Sequence, residues 1–175
     1  SMAVNRHLGG FLLDKSLAEG AWAWTFQRPK GSAYDDFDGA DAREPKDACI
    51  TYPSPDGWPP LVPTLQWEGI REAIDDLRYL QNLRSAVADL RATGGRNELY
   101  VADRVDKELA QLLDRVPWLD AGSLTSSQAQ AMRWKIASLT MECAATLTKS
   151  PVPTPPAIAV PIGASKPTVS CAFSE

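Results

Sequence analysis

The chain has 175 residues, of which 44% are hydrophobic and 23% charged, and this composition is typical of a single globular domain. A net charge of −4 argues against nucleic-acid binding, because a binder neutralises phosphates with a basic surface and no cluster of Lys and Arg is present. No apolar run reaches the roughly 20 residues of a membrane-spanning helix, so we expect no membrane insertion.

The first third of the chain predicts one helix and two short strands. Residues 4–18 carry apolar side chains at helical spacing. Gly9 and Gly10 each weaken that helix by roughly 1 kcal/mol, which indicates close packing against another backbone. Ala21–Gln27 alternates aromatic and small residues, as a strand with one aromatic face does, and Ala48–Tyr52 predicts a second strand. Polar or proline-rich loops are predicted around the second strand.

A long amphipathic helix is predicted after the second loop. Thr64 is a suitable N-cap, because its hydroxyl can accept a hydrogen bond from an early backbone N–H. Gly94 and Gly95 predict the end of the helix. Apolar residues recur every three or four positions and predict one buried stripe. The stripe comprises Trp67, Ile70, Ile74, Leu77, Leu80, Leu83, Val87 and Leu90.

Two further helices are predicted, from about Glu98 to Arg115 and from about Thr125 to Thr148. Thr125 and Gln128 have the spacing of a capping box at the start of the second of these. Short connections between amphipathic helices favour an antiparallel bundle. The predicted fold is therefore mainly α, a helical bundle with a short β element, forming one domain over residues 1–149. A proline-rich tail follows over residues 150–175, and it either docks as an extended segment or is flexible.

The loop before the long helix, and the helix itself, contain a series of spaced motifs. They are Tyr52-Pro53, Asp56-Gly57, Pro63-Thr64 and Trp67-Glu68-x-x-Arg71-x-x-Ile74-x-Asp76-x-x-Tyr79-Leu80. In this order and spacing they resemble the C-terminal region of glycoside hydrolase family 123 and its relatives, over about residues 4–90. Ala73 departs from the family pattern, which usually has Gly there. The resemblance implies the last strand–helix unit of a (β/α)8 barrel, with Ala21–Gln27 as its eighth strand.

One strand cannot close a barrel. The resemblance therefore implies the C-terminal part of a glycoside hydrolase-like protein, which contributes an active-site rim and structural support. Its partners would be the N-terminal part of the barrel or a second copy of the chain, and it would lie outside the cytoplasm. The family's catalytic pair is an adjacent Asp-Glu, and this chain has no such dipeptide. No catalytic residue is assigned, and whether the chain is an enzyme stays open.

Aromatic and acidic side chains near the strands are candidates for binding a carbohydrate. Aromatic rings would stack on a sugar, and polar groups would bond its hydroxyls. The candidate substrate-binding residues are Trp22, Trp24, Tyr34, Asp35, Asp36, Tyr52 and Trp58. Alternatively, the Trp residues belong to the core and the acids are merely solvated. A further alternative is a non-catalytic binding or protein-interaction module that uses the Trp and Tyr loops.

No cofactor or metal site is predicted. The acidic loop at Asp35, Asp36, Asp38 and Asp41 has oxygen ligands that suit calcium but lacks the EF-hand spacing. His7 is the single histidine and is expected to be an exposed helix residue, which leaves neither a zinc site nor a catalytic triad. The three cysteines match no metal or redox motif and are expected to be small buried residues.

The first turns of the long helix carry several charges. Arg71 lies three residues after Glu68 and four before Asp75, and such neighbours form surface ion pairs of roughly 0.2–0.5 kcal/mol. A sharper alternative is a buried Arg71 that clamps the preceding loop through its carbonyls. Glu68 and Asp76 are two turns apart and make a poor acid–base pair for hydrolysis.

Overall fold

The computed structural model describes residues 2–21, 26–28, 32, 34, 48–57, 60–118, 120 and 123–149. Within these residues there are five helices: α1 (Met2–Gly9), α2 (Phe11–Lys15), α3 (Leu65–Thr93), α4 (Arg96–Asp114) and α5 (Ser126–Lys149). The same residues form four short strands: β1 (Gln27–Arg28), β2 (Ala48–Cys49), β3 (Thr51–Pro53) and β4 (Leu61–Pro63). The predicted mainly α fold with a short β element is confirmed.

The strands form two small antiparallel pairs. β1 pairs with β2, so that Gln27 lies opposite Cys49. β3 and β4 form a hairpin in which Tyr52 lies opposite Val62. The Gln27 side chain joins the two pairs, because its Nε2 donates to the carbonyl and the hydroxyl of Thr51, each at 2.9 Å. This side chain therefore links β1 to β3 and connects the two strand pairs that precede α3.

The strand boundaries differ from those predicted. Of the predicted strand Ala21–Gln27, Gln27 is in a strand, Ala21 and Phe26 are not, and residues 22–25 lie outside the described residues. Ile50 interrupts the predicted strand Ala48–Tyr52 and divides it into β2 and β3. β4 lies in a stretch that was predicted to be a loop, because its prolines suggested one. Pro53 and Pro63 are nevertheless tolerated at the ends of this two-stranded hairpin, where pairing stops.

The helix predicted over residues 4–18 is divided at Gly10 into α1 and α2. The two glycines there pack closely against α3, as predicted. A Cβ on Gly9 would lie 3.3 Å from the Cβ of Ala73, and a Cβ on Gly10 would lie 3.3 Å from the Cα of Ala73. A larger residue at either position would separate the helices.

The predicted ends of α3 are confirmed. The Thr64 hydroxyl accepts hydrogen bonds from the backbone N–H groups of Gln66 and Trp67 at 3.2 and 3.3 Å. Gly94 ends the helix in the left-handed conformation at φ 71°, and its N–H donates to the carbonyl of Leu90.

The three long helices form the predicted bundle. Arg91, near the end of α3, pairs with Asp103 and Asp106 in the middle of α4, and the short Gly94–Gly95 connection turns the chain back, so these two helices run antiparallel. Arg104 in α4 pairs with Glu142 in the second half of α5, so α4 and α5 are antiparallel too. The predicted capping box at the start of α5 is also formed: the Thr125 N–H donates to the Gln128 side chain, and the Gln128 N–H donates back to the Thr125 hydroxyl.

The core lies between these helices and α2. α4 buries Val101, Val105 and Leu109, and α5 buries Met132, Ile136, Leu139 and Cys143, whereas Leu112 and Leu147 are only partly covered. The core side chains are Phe11, Leu80, Leu83, Val87, Leu90, Val101, Ala102, Val105, Leu109, Val116, Leu124, Ala129, Met132, Ile136, Leu139 and Cys143.

The first half of α3 buries a different face from the one predicted. The buried positions there are Gly69, Ala73 and Asp76, whereas Trp67 is 37% exposed and Ile74 is 46% exposed. Small residues on this face allow α1 to approach closely, and Asp76 is buried by charged partners. The predicted apolar stripe is therefore wrong before Leu80 and correct from Leu80 to Leu90.

Candidate functional site

Tyr34 and Tyr52 lie together beside the β3–β4 hairpin. Their ring centroids are 5.8 Å apart, with an angle of 33° between the rings. The Tyr34 hydroxyl donates a hydrogen bond to the carbonyl of Pro53, which holds the ring, and the residue is 53% exposed. Tyr52 is half-buried. The pair presents an aromatic surface with one fixed, accessible ring.

These two tyrosines are the predicted binding residues that the structure places and brings together. The remaining candidates, Trp22, Trp24, Asp35, Asp36 and Trp58, lie outside the described residues. The acidic loop considered for calcium lies outside them as well. In the part of the chain that is described, no group of three or more His, Cys, Asp or Glu side chains is arranged to hold a metal ion.

A second aromatic contact joins the strands to α3. The rings of Phe26 and Trp67 meet edge to face with centroids 6.0 Å apart. Both side chains stay partly exposed. Beside Trp67 on the same side of α3 are Ile70, which is half-buried, and Ile74. We call Phe26, Trp67, Ile70 and Ile74 the outer apolar patch.

The charged side chains of the α3 N-terminal half divide into two groups. Arg71 lies on the surface and pairs with Glu68 at 2.8 Å and with Asp75 at 3.5 Å, so the predicted surface ion pairs are confirmed. The alternative of a buried Arg71 that clamps the loop is wrong, since half of its side chain is exposed. Asp76, by contrast, is fully buried and has no access to a substrate.

Asp76 is the centre of a buried ion network between three helices. Arg6 of α1 donates to both of its carboxylate oxygens, at 2.7 and 2.9 Å. Arg133 of α5 donates to Asp76 at 2.6 Å, to the Glu72 carbonyl at 2.8 Å, and lies 2.8 Å from the Glu72 carboxylate. Two cations and two anions thus neutralise one another away from water. The sequence pattern did not indicate this network, because each arginine is 57 to 70 residues away from the acidic residue that it contacts.

His7 is fully buried, so the prediction of an exposed helix residue is wrong. Neither ring nitrogen has a hydrogen-bond partner of ordinary geometry in the described part of the protein. Burial lowers the pKa of His7, and the Pro117 carbonyl and the charge of Asp120 oppose that shift only in part. The neutral ring is therefore the favoured form.

Cys143 is a free, buried thiol, as expected. Burial is the main cause that raises the pKa of its thiol, which disfavours the nucleophilic thiolate. The burial of Cys49 and the structure around Cys171 lie outside what is described.

A scan against protein-family models found no match for this chain, and searches of curated proteins and of solved structures found none either. The resemblance to the glycoside hydrolase family consequently depends on the sequence motifs alone. Among the described helices, none has the length and apolar character needed to cross a membrane. The fold and the site together define a small helical bundle with an aromatic surface on its strand-bearing side.

Proposed function

We propose that this chain is the C-terminal part of a glycoside hydrolase-like (β/α)8 protein, which contributes an active-site rim and structural support without catalytic acids of its own. The observation that carries the proposal is the outer apolar patch. It lies on the helix that the resemblance equates with the last barrel helix, and a barrel helix needs an apolar face toward the strands.

The helix packing supports the same proposal. α1 and α3 lie side by side in close contact at Gly9 and Gly69, as neighbouring outer helices of a barrel would. α3 then has two faces with different partners: one is buried against α1 and α5, and the other carries Trp67 and Ile74. The partner of the second face would be the N-terminal part of the barrel, or a second copy of this chain.

The rim is assigned to the tyrosine pair. An exposed ring that is fixed by a hydrogen bond loses little entropy when a sugar stacks on it. Tyr34 meets this requirement through its bond to the Pro53 carbonyl. The ligand class is an N-acetylated sugar, as the family resemblance implies.

The test is a titration of the chain with N-acetylglucosamine and N-acetylgalactosamine, followed by intrinsic fluorescence. We expect a saturable change that Tyr34→Ala abolishes. Tyr100→Ala is the matched control, because this tyrosine is also exposed but lies on α4, and it should bind like the wild type. The absence of a saturable signal with both sugars, or equal binding by both variants, would reject the assignment of the rim.

The second candidate is a non-catalytic protein-interaction module. Trp134 and Met141 favour it, since they are 67% and 73% exposed on the same side of α5. A variant such as Ile74→Lys separates the two candidates. This variant should abolish binding of the barrel part, or of a second copy of the chain, to the outer apolar patch. Binding of a partner protein through α5 should be unaffected.

A further inference from the structure

A shallow groove of about 270 Å³ runs between α3 and α5 on the side away from α4. Among the residues that the structure describes, its lining contains no charged side chain. The lining residues are Tyr79, Asn82, Ala137, Thr140, Met141 and Ala144. Trp134 continues the same side of α5 one turn earlier. The groove is thus an uncharged channel with a large aromatic side chain at one end.

Arg133 holds the aromatic side chain that lines the groove, Tyr79, in place from behind. The guanidinium of Arg133 lies over the Tyr79 ring at 5.6 Å, and the same guanidinium is fixed by Asp76 and Glu72. Small residues at Ala137 and Ala144 leave the floor open between the larger side chains. A fixed tyrosine ring, a neighbouring exposed tryptophan and an apolar floor together make the type of surface that binds proline-rich segments.

We propose that the occupant of this groove is the chain's own proline-rich segment, residues 150–161. The inference does not depend on the proposed function. The segment has the sequence SPVPTPPAIAVP, which contains five prolines and no charged residue. Prolines favour the extended polyproline II conformation, so little entropy is lost when such a segment docks on aromatic rings. An uncharged ligand also matches a groove whose described lining residues bear no charge.

The connection to α5 permits this docking. α5 ends at Lys149, next to the Ala144 end of the groove, and Pro151 prevents continuation of the helix. From Lys149 back to Trp134 is about 22 Å along a helix. About seven residues in the polyproline II conformation cover this distance. The segment would therefore turn back and run antiparallel to α5, with Pro155 and Pro156 within reach of Tyr79 and Trp134.

The short tether strengthens the contact. A ligand attached by a short linker has an effective concentration of the order of millimolar. The tethered segment therefore occupies the groove even if each proline–aromatic contact is weak. A second copy of the chain, or a different protein, has no such advantage on the same groove. The connectivity therefore favours residues 150–161 of the same chain as the occupant of the groove.

The test is NMR spectroscopy of the full chain, with Trp134→Ala as the variant. Trp134 is largely exposed, so its removal should leave the fold intact. We expect nuclear Overhauser contacts between the Trp134 or Tyr79 ring and the δ protons of the prolines. In Trp134→Ala the contacts to residue 134 are lost, and the amide resonances of Ala157 and Ile158 shift because the ring current is removed. Trp118→Ala is the matched control, since Trp118 is also largely exposed, at 56%, but lies beside Lys15 after the end of α4.

Three outcomes would overturn the proposal. The first is unchanged Ala157 and Ile158 resonances in Trp134→Ala. The second is equal shifts in both tryptophan variants. The third is proline–aromatic contacts that weaken on dilution together with a halving of the mass in solution, since a second copy would then occupy the groove.

Discussion

Arg6 and Asp76 form a buried, bidentate ion pair although 70 residues separate them in the sequence. Both side chains are almost completely excluded from solvent. The pair joins α1 to α3, and Arg133 extends it to α5. The aspartate is therefore a structural connector of three helices, and its position on α3 determines which face of that helix is turned inward.

Removal of the Asp76 charge should strongly destabilise the protein. In Asp76→Asn the guanidinium groups of Arg6 and Arg133 would stay buried without their full counter-charge. Breaking a buried pair from one side costs about 3–5 kcal/mol. We expect a loss of that order in the free energy of unfolding, measured by urea denaturation.

The matched control for this variant is the neighbouring aspartate. Asp75 pairs with Arg71 and Arg78 on the surface of the same helix. Surface pairs contribute only about 0–1 kcal/mol, so Asp75→Asn should be close to the wild type. Similar losses for Asp75→Asn and Asp76→Asn would contradict the central role of the buried network.

The approach of α1 to α3 should depend on Gly69. A Cβ at this position would lie 2.4 Å from the carbonyl oxygen of Met2 and 3.0 Å from its Cα. Alanine normally stabilises a helix relative to glycine by about 1 kcal/mol. Here the steric overlap should reverse the sign, and we expect Gly69→Ala to lower the free energy of unfolding by about 1–3 kcal/mol.

Gly20→Ala is the comparison for this steric prediction. A Cβ at Gly20 meets no atom within 4 Å, so the variant should change stability by less than about 0.5 kcal/mol. Thermal denaturation of both variants measures this difference, and we expect a lower melting temperature for Gly69→Ala alone. A stabilised Gly69→Ala protein would mean that α1 does not pack on α3 as closely as described.

Local signals in the sequence predicted both ends of α3 and the start of α5 correctly. Thr64 and Gly94 bound α3, and the Thr125–Gln128 box begins α5. These signals work because a cap depends on residues within one helical turn. The core stripe from Leu80 to Leu90 was predictable for a related reason, since hydrophobic spacing alone identifies a face when one face carries all the large apolar side chains.

The buried face of the first half of α3 could not be predicted in this way. Trp67 and Ile74 are more hydrophobic than Gly69 and Asp76, so a pattern of hydrophobicity selects the wrong face. The actual choice depends on Arg6 and on the glycines of α1, which are distant in sequence. Tyr34 and Tyr52 were predicted as two separate binding residues. Their contact could not be predicted, because it depends on the hairpin that places Pro53 beside the Tyr34 hydroxyl.

Stability should fall as the pH is lowered, because of His7. The unfolded chain takes up a proton on this residue near pH 6.5, whereas burial lowers the pKa of His7 in the folded protein. The unfolded state then binds more protons in the window below pH 6.5 and down to the folded pKa. The stability present above the window is lost as the pH falls through it.

The measurement for His7 is urea denaturation between about pH 7.5 and about pH 5, with His7→Leu for comparison. His7 is the single histidine of the chain, so the difference between the two proteins isolates its titration. We expect a smaller loss of stability on acidification in the variant. Parallel pH profiles would show that His7 titrates alike in the folded and unfolded states.

The Thr64 hydroxyl should connect the stability of α3 to that of the aromatic surface. It caps α3 through two backbone N–H groups and also donates to the carbonyl of Ile50, between β2 and β3. Loss of such a cap costs about 1 kcal/mol, with a range of about 0.5–2. We expect Thr64→Ala to lower the unfolding free energy by this amount and to increase hydrogen exchange at β3. Thr93→Ala is the control, because its exposed hydroxyl donates only to the Asp89 carbonyl at the other end of α3. Faster hydrogen exchange at β3 in both variants, or in neither, would show that the Thr64 cap does not stabilise the strands.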